Sequence, residues 1–198
     1  MAAELDLNEF VWMNAPQKYS IGADSLTIQT EANTDFWQRT YYNFRHDNAP
    51  TFTIKVAEQQ FSFSVHTAWN PAKLFDQCGV VLYQDSDNWF KATVEYTNQK
   101  IARLGSVVTN LGYSDWATTD IDSSLHQMAY RLSRRGQDFL IENSQDGKVF
   151  HQMRIFHMHK AMEEVNIGVY ASSPLDSSME TRFTDFKLEE CQWELYTN

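Results

Sequence analysis

Trp89-Phe90-Lys91-Ala92-Thr93-Val94-Glu95-Tyr96 is two interleaved sets of residues. Trp89, Lys91, Thr93 and Glu95 take one set of alternate positions, and Phe90, Ala92, Val94 and Tyr96 take the other. Side chains of an extended chain point to opposite faces in turn, so this is a β-strand with one polar-bearing face and one wholly apolar face. Just upstream, Gly79-Val80-Val81-Leu82-Tyr83-Gln84 is apolar almost throughout, as a strand covered on both faces must be. Asp85-Ser86-Asp87-Asn88 between them is a set of turn formers, whose short side chains bond their own backbone.

The same grammar extends in both directions. Residues 128–134 and 139–143 are strands joined at Arg135-Gly136, and Asp146-Gly147 leads into a strand over 149–156; Asp-Gly suits the positive φ angles of tight hairpins. Residues 165–171 and 181–188 are strands separated by a loop around Ser173-Pro174. Upstream, 19–30, 35–42, 51–56 and 61–65 also alternate or run apolar. Against these ten or more strands stands one helical candidate, a single turn over 159–164. The expected fold is therefore all-β, an antiparallel two-sheet jelly-roll sandwich, formed as one domain over residues 1–198.

Composition narrows the function. The 198 residues carry 16 Lys and Arg against 26 Asp and Glu, a net charge of −10, and the densest basic group is only Arg131, Arg134 and Arg135. A nucleic-acid binder needs a basic face that displaces counterions, so no nucleic-acid partner is expected. No apolar run approaches the roughly 20 residues of a membrane helix, so no membrane partner is expected either. Met1-Ala2-Ala3-Glu4-Leu5-Asp6 has neither a basic nor an apolar leader segment, and there is no Asn-x-Ser/Thr sequon; the expected address is cytoplasmic. Cys78 and Cys191 then read as unpaired thiols. Seven Gly and four Pro leave no flexible linker, while 14% aromatic residues suffice for a core and for exposed stacking platforms.

Motifs for cofactor chemistry are missing: no Cys-x-x-Cys, no His-Glu-x-x-His, no phosphate-cradling glycine loop and no Gly-x-Ser-x-Gly elbow, so neither a metal nor a cofactor is expected. Glu4-x-Asp6-x-x-Glu9 imitates the carboxylate spacing of β-sandwich glucanases, but a chain end cannot fix two carboxyls at a working separation. His157 and His159, with His151 nearby, share a face if extended; without a further fixed ligand they read as a solvated strand end.

Several motifs in order carry a family resemblance: Thr34-Asp35-Phe36-Trp37, Phe75-Asp76-Gln77-Cys78-Gly79-Val80, Asp87-Asn88-Trp89-Phe90-Lys91 with Glu95, Ser106-Val107-Val108-Thr109, Ser114-Asp115-Trp116, Asp146-Gly147, Arg154 and Gly168-Val169-Tyr170-Ala171-Ser172-Ser173-Pro174. Over about residues 10 to 190 the chain resembles the YesU-like family, in particular a fungal branch named for regulation of enolase. The resemblance implies the concanavalin A-like lectin and glucanase fold, a jelly roll with a concave face. It supplies no catalytic residue, and neither the galectin His-x-Asn-x-Arg pattern nor a legume-lectin metal loop is present. By the resemblance alone, sugars are an association with the fold.

A sugar shows an apolar CH face and a rim of hydroxyls, so its site pairs aromatics with planar hydrogen-bonding groups. On that ground Trp37, Asp76, Gln77, Lys91, Glu95, Thr109, Ser114, Asp115, Trp116 and Tyr170 are the candidate binding residues. Arg131 and Arg154 join them as groups able to meet a ligand carboxylate or phosphate. Each also has a plain structural explanation: Lys91 and Glu95 as a surface charge pair, Trp37 and Trp89 as core, Ser114-Asp115-Trp116 as a loop anchor, Arg131 as surface charge. Three functions follow. The preferred one is a non-catalytic lectin-like protein for a saccharide or small metabolite, with a regulatory role in carbohydrate metabolism. The second is a carbohydrate-active hydrolase or lyase using Glu95 with Asp76 or Asp115. The third is a module that binds a protein partner.

Overall fold

The computed structural model describes residues 3–161 and 163–195. Its strands build two large antiparallel sheets and a small hairpin. The eight-stranded sheet runs β15 (His151–His157), β14 (Asp138–Ser144), β13 (Gln127–Arg135), β8 (Gln60–Asn70), β17 (Glu180–Glu189), β4 (Ser25–Gln29) and β3 (Lys18–Ile21), with β1 (Ala3–Glu4) beside β17. The seven-stranded sheet runs β12 (Tyr113–Asp122), β11 (Ile101–Asn110), β10 (Asn88–Tyr96), β9 (Gln77–Asp85), β16 (Val165–Ser172), β7 (Thr51–Val56) and β2 (Val11–Met13). Among the described residues, β5 (Phe36–Gln38) and β6 (Arg45–Asp47) pair with each other as a separate two-stranded hairpin. The all-β sandwich expected from alternation is the architecture found.

The main core lies between the sheets. β10 sends Phe90, Ala92 and Val94 into it, where they join Val80 and Leu82 of β9, Phe63 of β8, Phe139 and Ile141 of β14 and Phe183 of β17. Phe90 stacks on Phe156 at 4.1 Å between ring centroids. Side chains of this size each gain about 1.5–3 kcal/mol from leaving water, so this seam holds the sheets together. Cys78 lies in it, and burial pushes its thiol up to about 12; Cys191 is half-buried, and both are unpaired.

Several elements differ from the sequence reading. The stretch 19–30 is two strands folded at Gly22, whose N–H donates to the Ser25 carbonyl. The stretch 35–42 is a strand only over Phe36–Gln38, because Arg39, Tyr41 and Asn43 take positive φ values and curl the chain into a tight tip. β11 and β12 are two further strands that the sequence reading does not include: Ala102, Leu104 and Val108 of β11 face the core, broken by Gly105 and Ser106, and in β12 the run Thr118 to Asp122 lacks the apolar face that marks a strand. The turn over 159–164 is not a helix; the described residues there form a turn closed by Ala161 N–H to Met158 O at 3.2 Å. The helical turn among the described residues is instead a 3-10 turn at Leu7–Glu9, capped by the Asp6 carboxylate accepting from Asn8 N–H. That occupies Asp6, while the Glu4 side chain lies outside the described residues. His157 is paired with Asp138 at 2.7 Å and stands edge-to-face against His159.

Candidate functional site

The outer face of the seven-stranded sheet is covered over its middle, while β12 at its edge stays exposed. The β5–β6 hairpin lies across it, held by Phe36 among Tyr83, Trp89 and Tyr170 at 5.5–6.3 Å between ring centroids. Polar ties fix the hairpin further: Gln38 N–H donates to Ser114 Oγ, Tyr83 OH donates to Asp47, and Arg45 pairs with Asp87 at 2.7 Å. Trp37, Val81, Trp89, Val107 and Tyr170 make this roof and floor a second, smaller core.

Beside that core is a cavity of about 410 Å³. Register explains its floor. Lys91 lies between Val81 and Val107, with Trp116 one strand further, and Glu95 lies between Gln77 and Arg103. Thr93 falls between Gly79 and Gly105, so two missing side chains sink the sheet surface at that row. At Gly79 a Cβ would stand 1.9 Å from the Ala92 carbonyl oxygen, which leaves glycine as the residue that fits. Trp37, Tyr42, Phe44 and His46 from the roof, with Phe75, Pro174 and Leu175, make the walls.

The polar floor forms one network. Lys91, only 3% exposed, places its ammonium 3.1 Å from Asp35 Oδ1 of the roof and 2.9 Å from Gln77 Oε1. Tyr170 OH donates to the same Gln77 oxygen at 3.0 Å, and its ring faces the Lys91 ammonium at 5.6 Å. Gln77 Nε2 donates to the Phe75 carbonyl, so the amide is fixed at both ends. Glu95 is the exception. Its Oε1 is buried with no hydrogen-bond partner among the described residues. Burial pushes its carboxyl up to about 7; the Lys91 ammonium pulls it down, the Asp35 carboxylate pushes it up, and Arg103 pulls it down.

Of the residues singled out from sequence, Trp37, Gln77, Lys91, Glu95 and Trp116 line the cavity, and Tyr170 braces its floor. The others lie elsewhere. Thr109 and Ser114 bond to each other at 2.7 Å under the end of β5, so they anchor the roof. Asp76 Oδ2 accepts from Ala72 N–H, Lys73 N–H and Ser177 OH, which makes it a loop clasp. Asp115 and Arg154 pair at 2.8 Å across the open edge between the sheets, because their register partners Val108 and Ile141 both face inward. Arg131 is on the outer face of the other sheet, paired with Glu142 at 2.7 Å. Lys91 and Glu95 are therefore not a surface ion pair: the partner of Lys91 is Asp35. Asp35, Asn33, Phe75, Tyr42, Phe44 and His46 were missed as site residues, although Asp35 and Phe75 stand within the motifs quoted above. Their role depends on a hairpin folding back over the sheet, which no local pattern encodes.

The comparisons agree with this fold. The chain is 26% identical over 183 residues to "Regulation of enolase protein 1" of Saccharomyces cerevisiae, covering 92% of this chain and 90% of that protein. A crystal structure of a functionally unknown protein from Saccharomyces cerevisiae superposes with a TM-score of 0.88 at 25% identity, over 96% of this chain and all of that one. The GH43 BlXynB protein from Bacillus licheniformis superposes with a TM-score of 0.68 at 14% identity, over 90% of this chain but 36% of that one, a likeness of fold alone. A family model described as protein of unknown function (DUF1349) matches residues 12–191, and the chain belongs to that family.

Proposed function

We propose that the roofed cavity binds a saccharide or sugar-like metabolite, and that the protein acts by binding, in lectin fashion, within the regulation of carbohydrate metabolism in the cytoplasm. The observation that carries the reading is the lining itself. Trp37, Phe75 and Trp116 offer flat apolar surface beside Gln77, Lys91, Thr93 and Glu95, in a volume typical of small-molecule sites. Sugar CH faces and hydroxyls need both kinds of surface within one ring's width. The name of the yeast relative supports the regulatory part.

A thermal-shift screen against mono- and oligosaccharides, sugar phosphates, uronic acids and glycolytic metabolites tests the reading. A ligand of the native state raises the melting temperature in a saturable way, and Trp116→Ala, at a half-exposed wall position, abolishes the shift. Silence across the panel overturns the reading and leaves the protein-partner function ahead.

One observation favours a second reading, a carbohydrate-active enzyme. A carboxyl raised to about 7 in an enclosed cavity is poised to give and take a proton near neutrality. Asp76 and Asp115 are engaged elsewhere, so Asp35 is the second carboxylate on this reading. Direct assay of turnover on any ligand that binds separates the two: Glu95→Gln abolishes turnover in an enzyme, and a binding protein has none to lose.

A further inference from the structure

Among the lining residues one buried polar atom is left without a partner, and its residue restricts what fits. Glu95 is 9% exposed, lines the cavity, and has a buried Oε1 without a partner. Leaving a buried acceptor unmet is unfavourable, and a donor brought by a ligand recovers the loss. Lys91 is the only Lys or Arg among the lining residues, and its charge is already met by Asp35 while Gln77 takes a second hydrogen bond. Arg103, opposite Glu95 on β11, lies with its guanidinium 5.7 Å from the Trp116 ring and is not among the lining residues. An anionic ligand would thus meet Asp35 and Glu95 with no uncommitted Lys or Arg among the lining residues. We infer that Glu95 accepts a hydrogen bond from the ligand, and that the cavity selects a neutral polyhydroxylated ring over its phosphorylated or carboxylated counterpart.

The inference rests on the small-molecule reading of the cavity and adds its selectivity. A hydroxyl satisfies Glu95 in either protonation state, because a carboxyl keeps an acceptor oxygen when protonated and gains another when ionised. Ionised phosphate or uronate oxygens are acceptors only, and against the ionised form of Glu95 they would set like charge against like charge across a low-dielectric gap. The aromatic walls sharpen the contrast, since they stack on a sugar ring but cannot replace the hydration of an anion.

The test is titration calorimetry with D-glucose, D-galactose, D-xylose and their disaccharides, each hexose set against its 6-phosphate and its uronic acid. Neutral sugars bind at least about tenfold more tightly than their anionic partners, and Glu95→Gln, which replaces one acceptor oxygen by a donor, weakens the neutral ligands about tenfold. Near-ultraviolet circular dichroism of the variant establishes that it is folded. Equal or tighter binding of a phosphate or uronate overturns the selectivity while leaving the cavity reading intact. Unchanged affinity in Glu95→Gln overturns the role of Glu95. No binding by any member of the panel removes the small-molecule reading and this inference with it.

Discussion

Each large sheet carries a cation and a carboxylate on its outer face, and the two arrangements differ in whether they are complete. On the eight-stranded sheet, Arg131 and Glu142 are register neighbours on adjacent strands, bonded at 2.7 Å with the Phe150 ring 4.3 Å from the guanidinium. Every partner there is local. On the seven-stranded sheet, the register neighbours of Lys91 are Val81 and Val107, so its charge must be met from another layer, by Asp35 of the roof. Glu95 faces Gln77, whose carbonyl oxygen is taken by Lys91 and Tyr170, and is left unmatched. A pair closed within one sheet is complete in itself; a network that spans two layers, encloses space and leaves one acceptor over is what makes the cavity the candidate site.

Lys91→Met breaks this contrast most severely. It keeps the length of the side chain and removes the charge, leaving Asp35 without its cation and Gln77 with one donor fewer. Removing one partner of a buried pair is destabilising by about 3–5 kcal/mol, and Asp35, partly exposed, places the loss near the lower end. Urea unfolding measures it; a loss under about 1 kcal/mol would show that the roof does not rest on this pair.

Glu95→Gln gives the next largest effect, visible only as a function of pH. The Glu95 carboxyl is raised from an ordinary 4.5 to about 7 by burial. The folded state therefore holds its proton more tightly than the unfolded state. The resulting stability is complete below pH 4.5 and is lost as pH rises to about 7, by ~3 kcal/mol in all. Glutamine has nothing to ionise. Wild type thus loses ~3 kcal/mol relative to the variant between pH 4.5 and 7.5, and a constant difference across that range contradicts the burial of this carboxyl.

The alternation in β10 told truly which residues face the core and which face away, and with Gly79 to Gln84 it was enough for the class of fold. It did not tell that the away face is covered. Lys91, Thr93 and Glu95 look like a solvated set because periodicity records the side of a strand, not what lies over it. The roof is legible only in hindsight, from a short strand at Phe36 and a tip that curls through positive φ at Arg39, Tyr41 and Asn43. Asp76 and Asp115 lie outside the cavity for the same reason in reverse. Both adjoin aromatics in sequence, yet Asp76 is turned into its own loop and Asp115 to the edge between the sheets. Proximity along the chain places a side chain near a strand; only register and the covering layer decide whether it reaches the cavity.

Arg131→Met sharpens the comparison with the smallest effect. The variant removes an ion pair and a cation–aromatic contact on the outer face of the sheet, where the Arg131 side chain retains 20% of its exposure and Glu142 12%. Exposed ion pairs give about 0–1 kcal/mol and a cation over an aromatic ring about 0.5–1 kcal/mol; this pair is partly buried, which places the loss at the upper end of that sum, about 2 kcal/mol. Methionine can also cover Phe150, which recovers part of the packing. The variant leaves ligand binding untouched, because Arg131 faces away from the cavity on the opposite sheet. If Arg131→Met instead abolishes a ligand-induced thermal shift that Lys91→Met leaves in place, the site belongs on the eight-stranded sheet, and completeness of the hydrogen bonding is the wrong criterion for telling the two faces apart.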